Sequence, residues 1–83
     1  MKILYFAWLR ERVGKAEEEL MFPPDVLTVA DAIAHLRGRG EEYAYAFENP
    51  GIIRAALDRT HAPHETKLAG VAELAFFPPM TGG

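Results

Sequence analysis

Glu73-Leu74-Ala75-Phe76-Phe77-Pro78-Pro79-Met80-Thr81-Gly82-Gly83 closes the 83-residue sequence, and its reading decides how the rest is understood. Glu73 to Phe77 reads as a buried strand, apolar after its first residue. Pro78-Pro79 ends it, because proline supplies no N–H to a β-ladder and does not continue as a helix. Met80 and Thr81 then lead to a diglycine. Glycine has no Cβ, so such an end can thread a narrow channel and carry its carboxylate to a partner's reacting atoms. At ~3.3 Å per residue, Pro78 to Gly83 reaches roughly 20 Å. The expectation is a folded domain over 1–77 and a flexible tail over 78–83 with its chemistry at Gly83. A frayed terminus is the bland alternative. An aromatic strand, a proline pair and a diglycine in direct succession argue against it.

Composition bounds the remaining possibilities. A chain of this length forms one small domain with a thin core. At 49% hydrophobic and 25% charged residues it has the make-up of a globular protein. It has no cysteine, so neither a disulfide nor a thiolate contributes, and a cytoplasmic location is expected. The apolar run Ile3 to Leu9 is too short to cross a bilayer, so no membrane association is expected. The net charge of -3 argues against a general nucleic-acid binder, which needs a basic face.

Working back from the terminal strand, alternation within Lys2–Leu9 predicts a first strand, broken by Arg10-Glu11-Arg12-Val13-Gly14. Glu17 to Phe22 is expected to return as a second strand, with Glu17-Glu18-Glu19 as a solvated sheet edge. Thr28 followed by Asp31 is an N-cap signature, and Val29, Ile33 and Leu36 recur at helical spacing, which predicts a helix over Val29–Arg37. Gly38 and Gly40 stop it, and Arg37 and Arg39 are expected to favour its C-terminal dipole. A short second helix is predicted over Glu41–Phe47, a strand over Ile52–Leu57, an irregular connection over His61–Glu65 and at most a short strand at Lys67-Leu68. This order is α+β, with one principal helix covering one face of a mixed sheet. A β-grasp arrangement satisfies it, with the two most apolar strands, the first and the last, parallel at the centre.

Phe6-Ala7-x-x-Arg10-Glu11-x-x-Gly14 near the start and Ala75-Phe76-Phe77-Pro78-Pro79-Met80-Thr81-Gly82-Gly83 at the end resemble the small subunit of molybdopterin synthase, a ubiquitin-like sulfur carrier of β-grasp fold. The two motifs lie at opposite ends, so the resemblance covers essentially the whole domain. It implies that an ATP-dependent activating enzyme, an adenylyltransferase, converts Gly83 to an acyl-adenylate. A sulfur donor then makes the thiocarboxylate, and the large synthase subunit receives the tail and passes sulfur to a cyclic pyranopterin monophosphate. Gly82 gives slim passage, Met80 and Thr81 line the tail, and Pro78-Pro79 limit its directions. Phe6 and Phe77 match an apolar partner-binding patch, whose third position, usually leucine, falls at His61. Two further departures are Gly70-Val71-Ala72-Glu73, where many members carry Asp-Gly-Asp-Glu, and Asp58, where asparagine is common and a turn or cap is expected.

No phosphate-binding loop occurs, so no cofactor is expected on this chain and ATP belongs to the activating partner. His61-x-x-His64 with Glu65 lacks a third strong ligand, and a metal site is not expected. His35 is expected on a helix surface and Trp8 as a packed strand aromatic. Three other functions share parts of the pattern. One is a sulfur carrier for thiazole synthesis or tRNA thiolation, another a ubiquitin-like modifier joined to lysines, the last an interaction module with an incidental diglycine.

Overall fold

An apolar strand is most stable where both neighbours complete its ladder and both faces have cover. The terminal strand takes that position. The computed structural model describes residues 1–79. Its elements are β1 (Lys2–Tyr5), α1 (Ala7–Val13), β2 (Glu17–Glu19), α2 (Val29–Arg37), α3 (Glu41–Ala46), a 3-10 turn (Pro50–Ile52), β3 (Arg54–Leu57), β4 (Thr60–Ala62) and β5 (Glu73–Phe77). The strand order is β2-β1-β5-β3-β4. β5 runs parallel to β1, and the other pairs are antiparallel. This is the expected β-grasp, with the first and last strands side by side.

Alternation along β5 divides the molecule. Leu74 and Phe76 are fully buried on one face, together with Ile3 and Tyr5 of β1 and Ala55 of β3. The helices cover this face: Leu9 and Val13 of α1, Val29, Ala32, Ile33 and Leu36 of α2, and Tyr43 and Ala46 of α3 join the same core. At its centre the ring of Phe47 lies edge-on to Phe76, with centroids 5.1 Å apart, and Tyr5 stacks on Phe76 at 6.5 Å. The predicted cap of α2 is present. Asp31 N–H donates to Thr28 Oγ1 at 3.2 Å, while the Asp31 carboxylate accepts from the Thr28 N–H at 3.1 Å.

Three sequence expectations are corrected. The first strand stops at Tyr5, and Trp8 and Leu9, expected in it, belong to α1. Ala7 takes φ 54°, which turns the chain, and Leu9 and Val13, four apart, then bury one helical stripe until Gly14 closes the helix at φ 89°. Arg12 fastens α1 to α3, with its guanidinium 4.5 Å from the Trp8 ring and 4.0 Å from the Tyr45 ring. Second, β2 is only Glu17–Glu19 long. Third, Thr60–Ala62 forms a strand that runs into His61–Glu65, read as an irregular connection. Its turn is a two-residue hairpin with Asp58 at φ 47° and Arg59 at φ 72°, a conformation usually signalled by glycine. Asp58 does act as a cap: its carboxylate accepts from the N–H groups of Ala72 and Glu73 at 3.1 and 2.9 Å, tying this turn to the start of β5.

The acidic edge also departs from expectation, because Glu18 is not a solvated charge. It alternates inward from β2, where its Oε2 accepts from the hydroxyls of Tyr5 (2.7 Å) and Tyr43 (2.6 Å). Its Oε1 accepts from Arg39 at 3.0 Å and Lys15 at 3.4 Å. Arg39 therefore serves this carboxylate rather than only the dipole of α2. Burial alone would push the Glu18 carboxyl up. The bonds from Tyr43, Tyr5 and Arg39 outweigh it and hold the group at about 2. Burial and the Glu18 bond push the Tyr5 hydroxyl up in turn, so it stays a donor.

Two stability predictions follow from these contacts. Glu18→Gln should cost about 1–3 kcal/mol near neutral pH, because it weakens a charged acceptor for buried donors. The folded pKa lies below the ordinary 4.5, so the carboxylate's contribution is complete above that pH and is lost as the pH falls through about 2. Unfolding curves of wild type and variant should therefore converge on acidification. Separately, Phe76→Ala should cost about 3–5 kcal/mol as a core truncation, and Phe77→Ala much less. Thermal unfolding of the two variants compares them, and the reverse order would contradict the register of β5.

Candidate functional site: an apolar patch on the open sheet face

The face of the sheet that carries no helix collects the other half of each strand. Leu4 of β1, Ala75 and Phe77 of β5 and Ala56 of β3 point this way by alternation. Together with Phe6 they line a depression of about 410 Å³. Its apolar lining combines the small side chains of Ala56 and Ala75 with Leu4 and the two phenylalanines. Phe6 is 47% exposed, and Phe77 is half-buried. A large aromatic left this open, beside another on a contiguous apolar surface, is the pattern of a surface waiting for a partner.

Phe6 reaches this position because the β1–β5 ladder runs one residue past β1. Its N–H donates to the Phe76 carbonyl at 3.1 Å. Ala7 then turns the chain into α1, so Phe6 stands at the rim where β5 gives way to Pro78 and Pro79, both half-buried. The sequence-predicted patch residues Phe6 and Phe77 are thus brought together, next to the point from which the chain leaves the sheet. Met80, Thr81, Gly82 and Gly83 lie outside the described residues.

His61 completes the patch on its far side. It pairs with Ala56 across the β3–β4 hairpin, and its ring lies edge-on to Phe77 with centroids 6.2 Å apart. Charged residues stand around the edge. Lys2 forms an ion pair with Glu17 at 3.2 Å, and Arg59 and Glu73 flank the depression. The lining residues Leu4, Ala56 and Ala75 and the rim residues Arg54 and Arg59 escaped the sequence reading. The alternation in β5 signalled Ala75, whereas β3 and β4 had first to be brought alongside it. A lining of phenylalanine, leucine and alanine suits docking, not proton transfer or nucleophilic attack.

A second apolar groove, about 340 Å³, lies at the Met1 end of β1, between Leu20, Phe22, Val26 and Leu68. It is away from Phe6 and Pro78 and contributes nothing to this patch. Among the described residues, no helix is long and apolar enough to cross a membrane.

Comparison with known proteins gives this geometry a family. The model of the ThiS family matches residues 3–83. The molybdopterin synthase sulfur carrier subunit of Haemophilus influenzae is 34% identical over 83 residues, covering 100% of this chain and 99% of that protein. The subunit of the same name from Escherichia coli is 36% identical with the same coverage. Among solved structures, SAMP1 of Haloferax volcanii, small archaeal modifier protein 1, superposes with a TM-score of 0.72 at 28% identity, covering 100% of this chain and 98% of that one. With its sheet order, its two end motifs and full-length relatives all in agreement, the chain belongs to the ThiS family and is similar within it to the sulfur carrier subunits of molybdopterin synthase.

Proposed function

We propose that this protein is the sulfur carrier subunit of a molybdopterin synthase, with Gly83 as its reactive residue. The observation that carries the reading is the placement of Phe6, Phe77 and His61 on one open face, at the foot of Pro78-Pro79 and the Met80-Thr81-Gly82-Gly83 tail. The relatives' shared name supports the pathway.

A terminal carboxylate titrates near 3.5 and is ionised at neutral pH, which makes it a poor electrophile. Activation removes that obstacle. The Gly83 carboxylate attacks the α-phosphate of ATP, held by an adenylyltransferase partner, and pyrophosphate leaves. A sulfur donor then displaces AMP from the acyl carbon, leaving a thiocarboxylate on Gly83. The large synthase subunit docks on the Phe6–Phe77 patch and takes the tail into its own pocket. There the sulfur passes to a cyclic pyranopterin monophosphate, a step of molybdenum cofactor biosynthesis. Gly82 keeps the tail narrow, Met80 and Thr81 contact the channel, and Pro78-Pro79 aim it.

A protein modifier is the second reading, favoured by the likeness to small archaeal modifier protein 1. The two share chemistry up to the adenylate and differ in the acceptor, sulfur or a lysine amine. The intact mass of the chain from its native host separates them. Sulfur in place of one terminal oxygen adds about 16 Da. Finding Gly83 in isopeptide linkage to lysines of many proteins, with no such mass, would favour the modifier.

Deleting Gly83 should abolish sulfur transfer and leave the melting temperature nearly unchanged, because among the described residues the buried ones all precede Pro78. Gly82→Val should likewise slow adenylation or delivery far more than it alters stability, since a β-branched side chain widens and stiffens the tail. Thermal melts beside separate assays of adenylation and transfer test both. Full transfer by the truncated chain would exclude Gly83 as the carrier.

A further inference from the structure

The rim of the patch is not electrically uniform. The chain carries a net charge of -3, yet the β3–β4 side of the open face holds two arginines. Arg54 stands opposite Phe77 in the β3–β5 register, and Arg59 occupies the hairpin turn. Among the described residues neither is in an ion pair. Beside the Phe6–Phe77 depression lies a second one of about 400 Å³, which is polar and includes Arg54, His61, His64 and Glu65 in its lining. The two meet where the His61 ring touches Phe77.

From this juxtaposition we infer that the partner docking on Phe6 and Phe77 presents a carboxylate to the corner between Arg54 and His61, and that docking tightens as His61 protonates. The inference rests on the docking role proposed above and adds the chemistry of the partner's surface. Arg54 offers a planar guanidinium suited to a carboxylate. His64 is already engaged, with its Nε2–H directed at the Ile53 carbonyl at 2.6 Å, which leaves His61 as the imidazole facing the patch. The groups around His61 are Arg54 on β3, His64 and Glu65 on the following segment, and the uncharged Phe77 on β5, whereas Arg59, in the preceding turn, lies with Asp58 and Glu73 at the other end of the hairpin. Within this corner Arg54 is the one arginine and Glu65 the one acid, so protonation of His61 tips the local balance to positive. A polyanion would meet the repulsion of a net acidic chain, whereas a single carboxylate beside an apolar anchor meets Arg54 and His61 at short range.

Histidine is the side chain whose charge changes between pH 5 and 8. A carboxylate binds imidazolium better than imidazole, so affinity must rise as the pH falls. If docking favours the charged ring by the equivalent of one pKa unit, the gain approaches about tenfold. A leucine at this position would give a patch indifferent to pH.

Calorimetric titration of the full chain with the purified large synthase subunit, at about pH 8 and pH 6 and at low and high salt, tests this. Wild type should bind about three- to tenfold tighter at the lower pH, with affinity falling as salt rises. His61→Leu should lose the pH response that wild type shows above the partner's own. Arg54→Gln should weaken binding several-fold at low salt and reduce the salt dependence. Both variants should melt like wild type. Wild-type affinity that is flat or weaker at pH 6, or a pH response kept in His61→Leu, would overturn the inference. So would the same pH response appearing as self-association of the chain alone. Phe77→Ala separates the two levels of argument. If it weakens docking while the Arg54 and His61 variants do not, the docking face stands and the carboxylate is wrong. If Phe77→Ala binds normally, both fall.

Discussion

The parallel pairing of β1 with β5 is the constraint on which the rest depends. Parallel strands cannot be joined by a tight turn, so the whole intervening chain has to form the crossover and its flanking hairpins. The pairing also fixes register, with Ile3 beside Leu74 and Tyr5 beside Phe76. One residue of slip would exchange the two faces, burying Phe77 and exposing Phe76. The N–H of Phe6 bonded to the Phe76 carbonyl extends the ladder as far as the patch. Core, open face and the point at which Pro78 leaves the sheet are thus set by one ladder.

The Glu18 network protects that arrangement at its weaker side. β2 is three residues long and lies at the sheet edge, where backbone pairing alone holds little. Its central carboxylate reaches Tyr5 on β1, Tyr43 on α3 and Arg39 between α2 and α3. A single charged group therefore joins the edge strand to both layers. Its neighbours Glu17 and Glu19 stay exposed and keep the edge charged, so one short acidic run both guards the edge and closes the fold.

The two faces of the sheet differ in how they are filled. On the helix side, large side chains interlock around Tyr5, Phe47 and Phe76. On the open side, alanines at positions 56 and 75 line a depression together with Phe6 and Phe77. A partner can seat there without any rearrangement of the core. At the margin of that surface His61 sets an imidazole beside Phe77 where an aliphatic side chain would leave the contact purely apolar.

The sequence by itself determined the fold class, the helix over Val29–Arg37 with its Thr28–Asp31 cap, the strand over Glu73–Phe77 and the family, because these rest on local periodicity, capping and a contiguous terminal motif. It did not determine where β1 ends. Lys2–Leu9 satisfies alternation throughout, and only the burial of Leu9 and Val13 against α3 and the turn at Ala7 make its second half helical. The β3–β4 hairpin was hidden because Asp58 and Arg59 adopt left-handed backbone without a glycine, held by the bonds from Asp58 to the start of β5. Glu18 read as one of three equivalent solvated acids until the tyrosines of two distant elements arrived beside it. In each case the deciding contact spans many residues of sequence, and a contact of that kind exists only once the β1–β5 pair has brought the ends of the chain together.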